Sequence, residues 1–149
     1  MKKILFLCLI ALGFIFSSCA TIAYGPQYTA KVVVKNHQNT SIYVNNVYYG
    51  IDSVSFQWMR KNADNLTITL KEENYKDQVF KYNTKSIKGW TIVGNFLVVG
   101  WLPGILIDGI TGSWYKPDTS AASISQIGLD NDLFLYELIY NRCPIKKDD

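Results

Sequence analysis

Few side chains in this sequence are suited to covalent or acid–base chemistry. His37 is the only histidine, and the cysteines are Cys8, Cys19 and Cys143. A Ser–His–acid or Cys–His site needs that histidine beside a nucleophile, and no Gly-x-Ser-x-Gly elbow presents one. His37 stands in the polar run His37-Gln38-Asn39-Thr40, which reads as a solvated turn. The glycines never precede a Lys-Ser or Lys-Thr pair, so no phosphate-cradling loop is expected. Asp130 and Asp132 are spaced like the first two ligands of a calcium loop, but the glycine and distal glutamate such a loop needs are missing. A turn or helix cap is the expected role of that pair. Asp108, alone in a long apolar stretch, is the carboxylate most open to a functional role. Burial there is costly unless the group is paired or hydrogen-bonded, and with Gly109 and Thr111 nearby it reads as a cap on backbone N–H groups. These residues predict no catalytic site, no metal, no cofactor and no enzyme activity.

Cys19 is different, because its surroundings specify a reaction. Lys2-Lys3 form a positive head, Ile4 to Phe16 is an apolar run of 13 residues, and Ser17-Ser18-Cys19 closes it with small residues. That order is a secretory signal peptide. The run is also shorter than the roughly 20 residues a spanning helix needs. Phe16-Ser17-Ser18-Cys19 resembles the lipobox of bacterial lipoproteins, with Phe16 where that family usually has Leu. The resemblance implies cleavage after residue 18, diacylation of the Cys19 thiol and acylation of the new amino terminus. One acyl chain binds a bilayer marginally, at about 0.8 kcal/mol per buried methylene, whereas several hold permanently. Ala20 rather than Asp follows the cysteine, which in Gram-negative lipoproteins implies the outer membrane. No acidic run follows to direct surface export, so a periplasm-facing location is implied.

Removing residues 1–18 leaves Cys143 as the only thiol besides the acylated Cys19. No intrachain disulfide is then possible, and an odd thiol in an oxidising compartment is either buried or pairs between chains, burial being the expected state of Cys143. Zinc would need more Cys or His than His37 and Cys143. The formal charge is +3. Without Lys2 and Lys3, 15 − 2 = 13 basic residues face 12 acidic ones, a balance of +1. That excludes a nucleic-acid partner on electrostatic grounds. With 48% apolar and 18% charged residues, the chain is not composed like a disordered one.

The elements behind these residues begin with a tether over 19–27. Alternation of period two then marks strands: Ala30, Val32 and Val34; Ile42 and Val44; Val54, Phe56 and Trp58; Leu66, Ile68 and Leu70; and a last one near Val79 to Tyr82. Asn45-Asn46 suits a tight hairpin turn, and 60–65 reads as a polar loop. A small antiparallel β-sandwich or barrel over 28–83 is expected, with a core that is marginal alone. This stretch resembles the PEGA-type module of bacterial envelope lipoproteins at Val32 and Val34, at Tyr43-Val44-Asn45-Asn46, at Gly50 and at Tyr75. Asp52-Ser53 stand where that family has Thr-Pro. The resemblance implies a structural or binding module.

Gly89 to Gly112 holds six of the ten glycines and one charge, Asp108. Asn95 and Pro103 interrupt it, so its clean apolar part is too short to span. A helical hairpin over 88–116, with Pro103 opening its second helix, is expected to pack on the sandwich or to dip into lipid at 90–110. Asp108 to Lys116 resembles an Asp-x-x-Thr-Gly-x-x-Tyr-Lys signature of small envelope lipoproteins. Residues 117–149 read as a polar linker over 117–125, an apolar strand or helix at Leu133 to Tyr140 with strand preferred, and a charged tail. The fold class expected is mainly β (α+β). The function expected is a lipid-anchored envelope protein with a structural or interaction role. Its partners would be the membrane, through Cys19, and other envelope proteins. The alternative is a periplasmic module binding a small ligand or glycan.

Overall fold

The computed structural model describes residues 25–87, 108–128 and 132–144. Among these residues ten strands follow in order: β1 Gln27–Val34, β2 Ser41–Val44, β3 Val47–Ile51, β4 Ser53–Met59, β5 Leu66–Lys71, β6 Gln78–Tyr82, β7 Lys85–Ile87, β8 Tyr115–Pro117, β9 Ile124–Ile127 and β10 Leu133–Leu138. A single 3-10 turn, Arg60–Asn62, follows β4. Two four-stranded sheets, ordered β4-β1-β10-β9 and β3-β2-β5-β6, share one core, and β7 pairs with β8 as a separate ribbon. The chain is therefore mainly β and sandwich-like.

The alternating residues form the core as their period requires. Tyr28, Ala30, Val32 and Val34 of β1 are buried, as are Ile42 and Val44 of β2 and Leu66, Ile68 and Leu70 of β5. Phe134, Tyr136 and Leu138 of β10 complete it. Val54 and Trp58 of β4 pack at its margin, and Phe56 lies inside. Asn45 and Asn46 take the positive φ values, 46° and 68°, of a tight hairpin turn. Asp52, at φ 60°, carries the chain from the β2–β3 hairpin to the other sheet. Its carboxylate accepts from the backbone N–H groups of Thr40 (2.8 Å) and Asn39 (3.0 Å).

β10 lies parallel to β1, with Thr29 beside Leu133 and Val34 beside Leu138. It sits in the middle of its sheet, between β1 and β9. The sandwich thus draws on the C-terminal third for two of its eight strands. Beyond β10 the Asn36 side chain continues the pairing, donating to the Tyr140 carbonyl (2.7 Å) and accepting from its N–H (2.8 Å). An amide side chain matches a peptide group in shape and polarity, so it closes the ladder where β1 has ended.

Several expectations are corrected. The helical hairpin over 88–116 is not shown. Residues 88–107 lie outside the described residues, 108–111 form a helical turn, and Tyr115–Pro117 is strand β8, paired with β7. The stretch 117–125 is not wholly linker, because Ile124 is buried and opens β9. Its one large apolar residue, Ile124, among small and polar ones left no visible alternation. Cys143 is exposed rather than buried. The chain there runs along the sandwich margin, bonded through main-chain groups: the Cys143 carbonyl accepts from Lys76 N–H (2.9 Å), and Tyr75 bridges Pro144. Among the described residues no helix is long and apolar enough to cross a membrane.

Candidate functional site

The most unusual side chain is Arg60, in the 3-10 turn after β4. It is the largest of the fully buried residues. Its N–H donates to the Pro26 carbonyl (2.9 Å). Its Nε donates to the Gly25 carbonyl (3.2 Å), one terminal nitrogen approaches the Tyr115 carbonyl (3.5 Å), and the other pairs with the Asp132 carboxylate. The guanidinium carbon lies 6.0 Å from the Tyr28 ring centroid. A planar fork of donors can serve such divergent acceptors at once, which an ammonium cannot. One side chain therefore ties together the start of β1, β8 and the residue before β10. The polar loop expected at 60–65 thus begins as a 3-10 turn with this arginine buried. Nothing in its neighbours distinguishes a buried arginine from an exposed one, since its acceptors are distant in sequence.

Beside it the core carries hydroxyls. Tyr28 Oη and Tyr136 Oη lie 3.2 Å apart, 108 residues apart in the chain. The Tyr82 ring meets that of Tyr136 edge-on at 5.0 Å, and Tyr82 Oη lies 3.1 Å from Ser123 Oγ. Burial pushes the Tyr28 phenol up to about 12, against smaller lowering by the Tyr136 hydrogen bond and the Arg60 charge. Burial also raises Tyr136, reinforced by Tyr28, and raises Tyr82. These phenols stay neutral and satisfy one another. Proton transfer at neutral pH would need a group poised near 7, and the shifts run away from it.

A third feature lies on the outer face of the β3-β2-β5-β6 sheet. Tyr48, Tyr43, Thr69 and Val79 stand in register across all four strands. The Tyr43 and Tyr48 rings are 5.5 Å apart and inclined at 62°. Lys71 Nζ sits 5.3 Å from the Tyr43 centroid and 2.6 Å from the Asp77 carboxylate.

The residues singled out in the sequence are not gathered into one place. Cys19 lies outside the described residues. Asp108 is fully buried in the 108–111 turn. Its carbonyl accepts from the Gly112 N–H (2.8 Å) and the Thr111 hydroxyl (3.4 Å). Asp130 is outside the described residues, and Asp132 serves Arg60. His37 is half-buried, edge-on to Tyr140 at 5.9 Å. Among the described residues no three of His, Cys, Asp or Glu converge as metal ligands would. Compared with protein-family models, curated proteins and solved structures, the chain finds no match in any of the three.

Proposed function

We propose that this chain is a lipid-anchored bacterial envelope protein, held by acyl chains on Cys19 in the outer membrane and facing the periplasm. Its sandwich would serve a structural or protein-interaction role at the membrane surface, as the PEGA-like residues suggest. The observation that carries this reading is the order of Lys2-Lys3, the apolar run Ile4 to Phe16 and Ser17-Ser18-Cys19. The buried polar groups agree with it, since Arg60 and the tyrosines spend their hydrogen bonds on the fold. Intact mass of the native product tests it. A mature chain beginning at an acylated Cys19 is expected, and Cys19→Ala should move the protein from the membrane fraction to the soluble one. An unacylated residue 19, or a different first residue, refutes the anchor.

The second reading is a glycan-binding module, favoured by the exposed Tyr48 against the half-buried Tyr43, with Lys71 over the Tyr43 ring. The inclination of the rings counts against a flat sugar platform. Binding to cell-wall saccharides that is abolished by Tyr43→Ala and Tyr48→Ala would favour this reading over the first.

A further inference from the structure

We infer that the sandwich turns its Gly25 end to the bilayer, with Met59, Ile87 and Ile110 resting in the lipid headgroup layer. The inference rests on the Cys19 acylation proposed above and adds to it an orientation and a contact surface.

The length of the tether sets the first constraint. Gly25 lies six positions after Cys19. A fully extended chain covers about 3.3–3.6 Å per residue, so Gly25 stays within about 20 Å of the acylated residue. β1 alone, with eight residues, is about 27 Å long at the usual strand rise. The Gly25 end is therefore confined near the lipid, while the opposite end is free to stand clear of it.

The composition of the two ends supplies the second argument. Met59 pairs with Gln27 at the start of β1. Ile87 pairs with Tyr115, whose carbonyl faces Arg60. The 108–111 turn holding Ile110 closes on Gly112, which packs against the Lys61 backbone. All three residues therefore cluster around Arg60 and Gly25. They are 43%, 50% and 78% exposed, large aliphatic side chains with no role in the core. Lys61 is exposed at the same end and Lys116 is half-exposed, so ammonium groups stand ready for headgroup phosphates. The described flanks of the apolar stretch 88–107, Ile87 and Asp108, also belong to this end. The opposite end carries three ion pairs, Lys35–Glu137, Lys71–Asp77 and Arg142–Glu72, against Lys85–Asp64 and Arg60–Asp132 at the Gly25 end. Ile51 and Ile139 are exposed there too, but Ile51 pairs with Ser41, the neighbour of Lys71, and Ile139 lies two residues beyond Glu137, so each sits among the charges of these pairs. Three isolated aliphatics bind lipid weakly alone, so their effect is to orient a protein that the acyl chains already hold.

The test uses the full-length lipoprotein, carrying Cys143→Ser to remove the exposed thiol. Single cysteines replace Ile87, Ile110 or, at the opposite end, Gln38, and each receives a nitroxide. The proteins are placed in phosphatidylethanolamine–phosphatidylglycerol vesicles, and collision of the nitroxide with oxygen and with a water-soluble nickel chelate is measured by power saturation. Labels at Ile87→Cys and Ile110→Cys are expected to be several-fold more accessible to oxygen than to nickel, and the label at Gln38→Cys the reverse. Circular dichroism of each labelled protein confirms the fold. Acylated, vesicle-bound protein whose labels at 87 and 110 behave like that at 38 overturns the orientation and leaves the anchor standing. A protein whose mass shows no acyl groups overturns the anchor, and the orientation falls with it.

Discussion

Alkaline titration reads directly on the buried Tyr28–Tyr136 pair. In the fold burial holds Tyr28 near 12 and pushes Tyr136 up as well, while both phenols in the unfolded chain titrate near 10. Below pH 10 both states keep their protons, and the contribution of the pair to stability is fully present. Above pH 10 the unfolded chain binds fewer protons than the folded one, so stability falls as pH rises. The slope is about 1.4 kcal/mol per pH unit for each such tyrosine. For Tyr28 alone that amounts to about 3 kcal/mol between pH 10 and 12. Tyr136, raised in the same direction, adds to that loss, which is already a sizeable share of the 5–15 kcal/mol typical of a domain. Urea unfolding followed by circular dichroism from pH 8 to 12 should therefore show a plateau and then a steep decline. The double variant Tyr28→Phe, Tyr136→Phe should remove most of that decline. At pH 7 each single variant leaves one buried hydroxyl without its partner and should cost about 1–3 kcal/mol, whereas the double should cost less than the sum of the two. Equal alkaline slopes for wild type and double variant, or native tyrosinate absorbance developing in full near pH 10, would refute the reasoning.

Two further outcomes follow from the same geometry. Arg60→Met should lower stability by about 2–3 kcal/mol in thermal or urea melts. That is less than the 3–5 kcal/mol usual for breaking a buried pair, because the Asp132 side chain is 44% exposed and regains water. Arg60→Lys should fail to restore it, since one ammonium cannot reach the Gly25, Tyr115 and Asp132 acceptors together. Gly112→Ala should be destabilising by more than 2 kcal/mol by the same melts. Its φ is +73°, and a Cβ there would lie 2.6 Å from Lys61 Cβ and 2.8 Å from the Lys61 main chain, which has no rotamer to yield.

Much of the sandwich was legible before folding. Ala30, Val32 and Val34 on one face of β1, or Leu66, Ile68 and Leu70 on one face of β5, announce strands because a pleated chain sends alternate side chains to opposite sides. Asn45-Asn46 announced its turn because asparagine tolerates the positive φ a two-residue hairpin requires. Strands β7, β8 and β9 were not legible, since the first two have three residues each and the isoleucines of β9 stand three positions apart, off a period of two. Leu133 to Tyr140 could be read as helix or strand until a neighbour was known. Arg60 was misjudged because burial of a charge depends on acceptors brought from 35, 55 and 72 positions away.

The amino-acid order alone carries the proposal of a targeting segment closing at Cys19, and it determined which faces of most strands are apolar. These are local properties, read from charge, run length and alternation within a few residues. Folding alone decided that β10 enters the sheet beside β1, that Tyr28 and Tyr136 share a hydrogen bond, and that Arg60 locks one end. Each of these depends on which distant segments meet, and pairing between strands is settled by the summed burial and hydrogen bonding of the whole sandwich rather than by any single stretch.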